Sequence, residues 1–288
     1  MFSSDWSLVL FTILVQSAVG IVVITEGARL FSGAKGAALR LQTPVACVLT
    51  ALGLVLSLTH LGTPLHSVFT IMNLGHSWLS REILSVSAFF AAILALAFVR
   101  MRNDEAKAAP LSLLAMLLGL FAVFVMTKVY LLETVPVWNT VATAFSFYGT
   151  TLLAGAVVCG VIGSIENSGK ECGEPCASVT GLLCVSAQVG LALKFIAIVL
   201  NMVALSSVDS LGVSGLDMVA GEGLTVLVVR IAMICAGVGI FTWFGLKAIG
   251  AKQLRMATNP ALCALALIMA GEIIDRLMFY GTYMRIGI

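Results

Sequence analysis

Residues 57 to 82 read Ser57-Leu-Thr-His60-Leu-Gly62-Thr-Pro64-Leu-His66 and, after Ser67 to Met72, Asn73-Leu-Gly-His76-Ser-Trp78-Leu-Ser-Arg81-Glu82. A long apolar segment ends at His60 and another begins at Glu82, which makes the window a polar turn between two hydrophobic runs. All three histidines of the chain fall inside it. Side chains able to exchange protons are thus gathered where two helices would meet a membrane surface. Reading the window this way decides the fold, because the rest of the chain then parses into the same unit repeated: apolar run, short polar break, apolar run.

Composition leads to the same parsing. Of 288 residues 60% are hydrophobic and only 10% charged, with a mean hydropathy of +1.09, whereas about 25% charged is usual in a soluble domain. An integral membrane protein is expected. A helical span takes roughly 20 apolar residues, and eight runs qualify: 7–31, 42–60, 82–101, 110–134, 140–165, 177–205, 222–249 and 259–283. They are long and continuous rather than short and alternating, which predicts helices instead of barrel strands. Together they use nearly the whole chain, so residues 1–288 are read as one transmembrane domain. Pro110 and Pro260 are expected in first turns, where proline is tolerated. Met1 to Trp6 carries only Asp5, so the first run reads as a retained helix and not a secretory signal.

Orientation follows from lysine and arginine. Arg29, Lys35, Arg40, Arg100, Arg102, Lys107, Lys170, Lys247, Lys252 and Arg255 belong to one set of loops and helix ends. The opposite side has Arg81, Arg276 and Arg285 near its surface and little else. With eight helices, both termini and the 57–82 window face outward, into the periplasm if the source is a bacterium.

Ionisable groups within apolar helices face protein or a water-filled cavity. Lys128, Glu133, Lys194, Asn201, Arg230, Glu272, Asp275 and Arg276 all need such an account, and a polar cavity opening to the outer side supplies one. Glu272 and Arg276 stand four residues apart, so a carboxylate and a guanidinium can pair on one helix face. His60 and Glu82 admit two readings. An imidazole, which titrates near neutrality, and a carboxylate can together take two protons from one substrate. Alternatively, His60 is an interfacial helix end and Glu82 a carboxylate complementing a helix dipole.

Other chemistries fit poorly. Two axial histidines on facing helices are not available when His60, His66 and His76 share one window, so no haem is expected. Four closely spaced thiolates are needed for an iron–sulfur cluster, and Cys172 and Cys176 are the only close pair. The remaining cysteines lie mostly in apolar runs and behave as small hydrophobes. A net charge of +2 gives nucleic acid no footing. Any electron-transfer role then requires a diffusible carrier and a partner. The competing class is a secondary transporter of a small solute, which would favour two matching halves; no repeat relates the residues before and after Asn139.

Four separated motifs occur in order: Ser57-Leu-Thr-His-Leu-Gly-Thr-Pro-Leu, Leu79-Ser-Arg-Glu82, Thr134-Val-Pro-Val-Trp-Asn139 followed by Phe145-Ser-Phe, and Gly271-Glu-Ile-Ile-Asp-Arg276-Leu-Met-Phe-Tyr280-Gly. With these motifs the chain resembles, from end to end, the membrane anchor subunit of dimethyl sulfoxide reductase, the DmsC family. The resemblance implies an inner-membrane subunit of an anaerobic respiratory complex. Such an anchor oxidises menaquinol near the outer face and passes electrons to a four-cluster, ferredoxin-like iron–sulfur subunit, which feeds a molybdopterin catalytic subunit. It further implies that His60 and Glu82 are the quinol-site residues. Arg81, Gly62, Pro64, Trp78, Lys128 and Arg276 are expected around the quinol, with Leu61 and Phe69 flanking its ring. His66 and His76 depart from the family pattern.

Overall fold

A computed structural model describes residues 6–32, 39–59, 74–135, 137–169, 171–207, 209–210, 213–214 and 222–281. Eight helices appear in it: α1 Trp6–Ser32, α2 Gln42–Thr59, α3 Trp78–Met101, α4 Glu105–Tyr130, α5 Val141–Glu166, α6 Glu174–Ser207, α7 Glu222–Gly250 and α8 Thr258–Gly281. A two-residue antiparallel pair, β1 Asp209–Ser210 with β2 Val213–Ser214, follows α6. A short 3₁₀ turn, Leu254–Ala257, leads into α8. Seven of the helices are long and apolar enough to cross a bilayer, and the chain is a multi-pass membrane protein; α8, with Glu272, Asp275 and Arg276, is outside that set.

The helices fall where the apolar runs are, but two begin four or five residues earlier than hydropathy predicts. α3 starts at Trp78 instead of Glu82, because the Ser77 side chain accepts a hydrogen bond from the Ser80 N–H (3.4 Å) and caps the helix. Glu82 is therefore in the second turn, one turn away from the orphan N–H groups that a dipole-complementing carboxylate would serve. α4 starts at Glu105, capped by Asp104, which accepts from the Lys107 N–H at 3.2 Å. Hydrogen bonds from Lys107 also hold the Asp104 carboxyl below the usual carboxylate range. Pro110 consequently sits inside α4 and not in its first turn. The same helix stops at Tyr130, which leaves Glu133 in an exposed turn.

α1 is the central post. It packs against α2, α4, α5, α6 and α8, and Val15, Val19 and Ile21 are fully buried; a helix apolar all round belongs in such a place. Its closest neighbour is α5. A Cβ on Gly20 would stand 1.9 Å from the Thr151 carbonyl oxygen, and one on Gly155 would stand 2.5 Å from the Gly20 Cα. Glycine at both positions lets the two backbones touch, which is how helices gain contact in lipid, where hydrocarbon offers no hydrophobic drive for association. Outward, the bundle presents large apolar side chains such as Val55, Phe98, Val199 and Trp243. Inward it holds Lys194, Glu272 and Arg276. That inversion of the soluble pattern is what a hydrocarbon solvent requires.

Candidate functional site

The first turns of α3 carry Trp78, Arg81 and Glu82 at spacings of three and four, so all lie toward one side of the helix. The Arg81 guanidinium sits over the Trp78 ring at 4.3 Å. It donates through Nε to the Leu74 carbonyl and through Nη2 to that of Gly75, both at 2.8 Å. Lys128, in the last turn of α4, places Nζ 6.0 Å from the centre of the same ring. Three of the residues expected around a quinol thus meet at one end of the bundle: Trp78, half-exposed, flanked by two cations. Glu82, on the same side of the helix, is buried, 4% exposed. Among the described residues its Oε1 has no hydrogen-bond partner, and Tyr130 and Tyr280 lie within its electrostatic range.

Behind Glu82 stands an aromatic cluster built from two of the four sequence motifs together with Tyr130. The Tyr130 and Tyr280 hydroxyls are 2.8 Å apart. Trp138 stacks on Phe279 with ring centres 5.0 Å apart and donates its indole N–H to the Phe279 carbonyl at 2.9 Å. Phe147 meets both Tyr130 and Phe279 edge-on. The turn after α4, the start of α5 and the end of α8 are thereby clamped together. Ring stacking and edge contacts supply that clamp.

Arg276 does not join Arg81 and Lys128. It is fully buried, with its guanidinium 3.8 Å from the Phe147 ring centre, and Nη2 donates to Gln16 Oε1 (2.7 Å) and Thr150 Oγ1 (3.2 Å). Nor does Glu272 use it as the partner that their spacing predicts. Glu272 Oε2 binds Lys194 Nζ at 2.7 Å, and the same ammonium reaches Asp275 Oδ2 at 2.6 Å and Thr150 Oγ1 at 2.7 Å. Arg230 holds the second Asp275 oxygen. The ion pairs therefore run between helices, tying α6 and α7 to α8, with α5 joined through Ser146 and Thr150. A cavity of about 70 Å³ lies beside them, lined in part by Thr143, Ser146, Asn201, Arg230 and Asp275. Of the polar residues singled out from the sequence, Lys194, Asn201, Arg230, Glu272, Asp275 and Arg276 share this region; Lys128 and Glu133 do not.

His60, Gly62 and Pro64 lie outside the described residues, as do Leu61, His66 and Phe69. Thr59 is the last residue of α2, so His60 follows directly in sequence. His76 is in an exposed turn. Among the described residues no three His, Cys, Asp or Glu side chains converge as a metal set. Cys172 packs with Ala248, Leu254 and Ala257 at the arginine-rich end.

One ionic site escapes sequence reasoning. Glu26, in the penultimate turn of α1, is fully buried and takes a two-pronged contact from Arg100, with Ser112 Oγ donating to its Oε2 at 2.8 Å. Arg29 adds a contact at 3.4 Å. A glutamate three residues from an arginine reads as an ordinary helix-end pair, and nothing local points to Arg100 on another helix.

This architecture defines a class: a multi-pass α-helical membrane subunit with a polar interior and a cation-flanked tryptophan at one end. The model of the family described as DMSO reductase anchor subunit (DmsC) matches residues 2–282, and the chain belongs to that family. It is 30% identical over 289 aligned residues to the YnfH subunit of an anaerobic dimethyl sulfoxide reductase of Escherichia coli K12, covering 98% of this protein and 96% of the relative. It is 27% identical to the C subunit of anaerobic dimethyl sulfoxide reductase from the same organism, covering 98% and 96% respectively. For the C subunit of the Haemophilus influenzae Rd enzyme the identity is 25%, over 97% and 95%. The protein is thus an anchor subunit of the dimethyl sulfoxide reductase type, a multi-subunit oxidoreductase of anaerobic respiration.

Proposed function

We propose that this anchor is the menaquinol-oxidising subunit of its complex. The quinol ring enters from lipid beside Trp78, flanked by Leu61 and Phe69, while Arg81 and Lys128 steady developing negative charge. His60 and Glu82 accept the two hydroxyl protons, and Gly62 and Pro64 belong to the same quinol-binding set. Two electrons then pass singly to a four-cluster iron–sulfur subunit and on to a molybdopterin subunit. The observation that carries this reading is Glu82: a buried carboxylate whose Oε1 has no hydrogen-bond partner among the described residues, four residues along the helix from the cation-flanked Trp78. Burying such a group without a bond costs free energy, and a proton-accepting task is a reason for a protein to retain it. Arg276, held by Gln16 and Thr150, acts from the bundle interior by fixing α8 behind that site.

The reading predicts a companion. Solubilised gently from its native membrane, the protein should co-purify with an iron–sulfur protein in equimolar amount; recovery of the anchor alone under conditions that preserve other respiratory complexes would favour the transporter class instead.

Eight spans with both termini in the periplasm belong to the same proposal. α8 has 24 residues, about 36 Å of helix at 1.5 Å per residue, against roughly 30 Å of hydrocarbon. Its Glu272, Asp275 and Arg276 all turn into the bundle. Reporter fusions after Lys107 and after Gly215 should report cytoplasm and periplasm respectively; identical or reversed labelling would remove this topology and, with it, the outer location of the quinol site.

A further inference from the structure

At the arginine-rich end, where α1 and α3 finish and α2 and α4 begin, one cavity of about 560 Å³ is lined by Arg29, Arg40 and Arg100. That volume is within the range of small-molecule sites, roughly 300–1,000 Å³. Two of the guanidiniums are set in place from behind. Arg100 is gripped by Glu26 and donates to Thr43 Oγ1 (2.8 Å) and Ser112 Oγ (3.2 Å). Arg29 is anchored on Glu26 and on the Leu39 carbonyl. Glu26 itself does not line the cavity, so three positive charges face it against one buried negative charge. Of the carboxylates nearby, Glu166 is turned to the backbone N–H groups of Arg40 and Leu41, and Asp104 is paired with Lys107.

Besides the polar Thr43, Asn103 and Ser112, the rest of the lining is apolar, including Leu30, Pro44 and Met101. Leu30 and Met101 are also exposed at the bundle surface, Met101 by 77%. A free anion would fill a fraction of this space and leave its apolar wall without a partner. A phospholipid satisfies both parts: guanidinium groups match phosphate oxygens in paired hydrogen bonds, and acyl chains continue along the apolar rim. Basic pockets between transmembrane helices are suited to such headgroups.

We propose that the Arg29–Arg40–Arg100 cavity binds the phosphodiester headgroup of an anionic membrane phospholipid. A lipid with two phosphates binds more tightly than one with a single phosphate, because three guanidiniums are present. The site lies at the end opposite Trp78 and Glu82, so it is separate from the proposed quinol site, and its test does not read quinol chemistry.

The full-length protein, delipidated in a mild detergent, would be titrated with mixed micelles of tetraoleoyl cardiolipin or dioleoylphosphatidylcholine and with inorganic phosphate, and retained ligand counted by native mass spectrometry. One cardiolipin should be retained and phosphatidylcholine should not. Arg40→Gln and Arg29→Gln should each weaken cardiolipin retention at least about tenfold. Arg100→Gln removes the two-pronged contact on buried Glu26 and disturbs the fold, so exposed Arg40 carries the test. Unchanged retention in Arg40→Gln, or equal retention of phosphatidylcholine, would overturn the proposal. Displacement of cardiolipin by an equal concentration of inorganic phosphate would overturn its lipid part and leave a free-anion site.

Discussion

Glu82→Gln is expected to lower menaquinol-dependent reduction of the terminal acceptor by about 10²–10⁴-fold, the usual contribution of a positioned general base. The amide keeps the size of the carboxylate, so the buried niche in α3 stays filled, but it cannot accept a proton. Quinol holds its electrons until its hydroxyl protons have an acceptor, and electron flow should therefore stop at that step. Reduction of the same acceptor from a soluble artificial donor, which bypasses the anchor, should be nearly unchanged, because nothing in the substitution touches assembly. His60→Ala should behave alike. Normal quinol oxidation in both variants would dismiss these residues and shift attention to the polar face of α8. Loss of both activities together would mean that the variants fail to assemble.

The second large effect is on stability. Lys194 is 3% exposed and its ammonium bonds both Glu272 and Asp275. Lys194→Met leaves these carboxylates short of a cation, Glu272 more so, since Arg230 still holds Asp275. Breaking a buried pair from one side costs roughly 3–5 kcal/mol, because the surviving charge keeps its desolvation penalty. The expected readout is a markedly lowered thermal midpoint of the purified protein and poor accumulation in membranes. Lys194→Met combined with Glu272→Gln should recover part of the loss. A single variant as stable as the parent would show that the network carries little of the fold's stability.

Much of this was legible in the residues. Apolar runs locate all eight helices within a few residues, because a hydrocarbon solvent leaves a strong compositional mark. The errors gather where that mark fades. α3 and α4 begin in polar sequence, at Trp78 and Glu105, where Ser77 and Asp104 caps decide the boundary and hydropathy is silent. Lys194, Arg230, Glu272, Asp275 and Arg276 stood out because charge inside an apolar run is rare and costly. Their pairing did not, since spacing along α8 favours Glu272 with Arg276 and only the folded bundle brings Lys194 to Glu272. Gln16, Ser146 and Thr150 gave no signal; neutral polar residues are common in helices, and their role emerges only from what faces them. The convergence of Trp138, Phe147, Phe279 and Tyr280 was visible as separate motifs but not as one cluster.

The charge count of that interior network has a consequence for the membrane as an insulator. Lys194, Arg230 and Arg276 bring three positive charges, Glu272 and Asp275 two negative ones, and all five are buried among α5, α6, α7 and α8. An excess of one fixed cation in a low-dielectric interior repels hydronium and metal cations, as an arginine does in a pore that passes water but not protons. A bundle with so many polar groups near its centre would otherwise offer a short circuit for the gradient that respiration maintains. On that count the same ion pairs that lock the helices also weigh against cation leakage through the bundle.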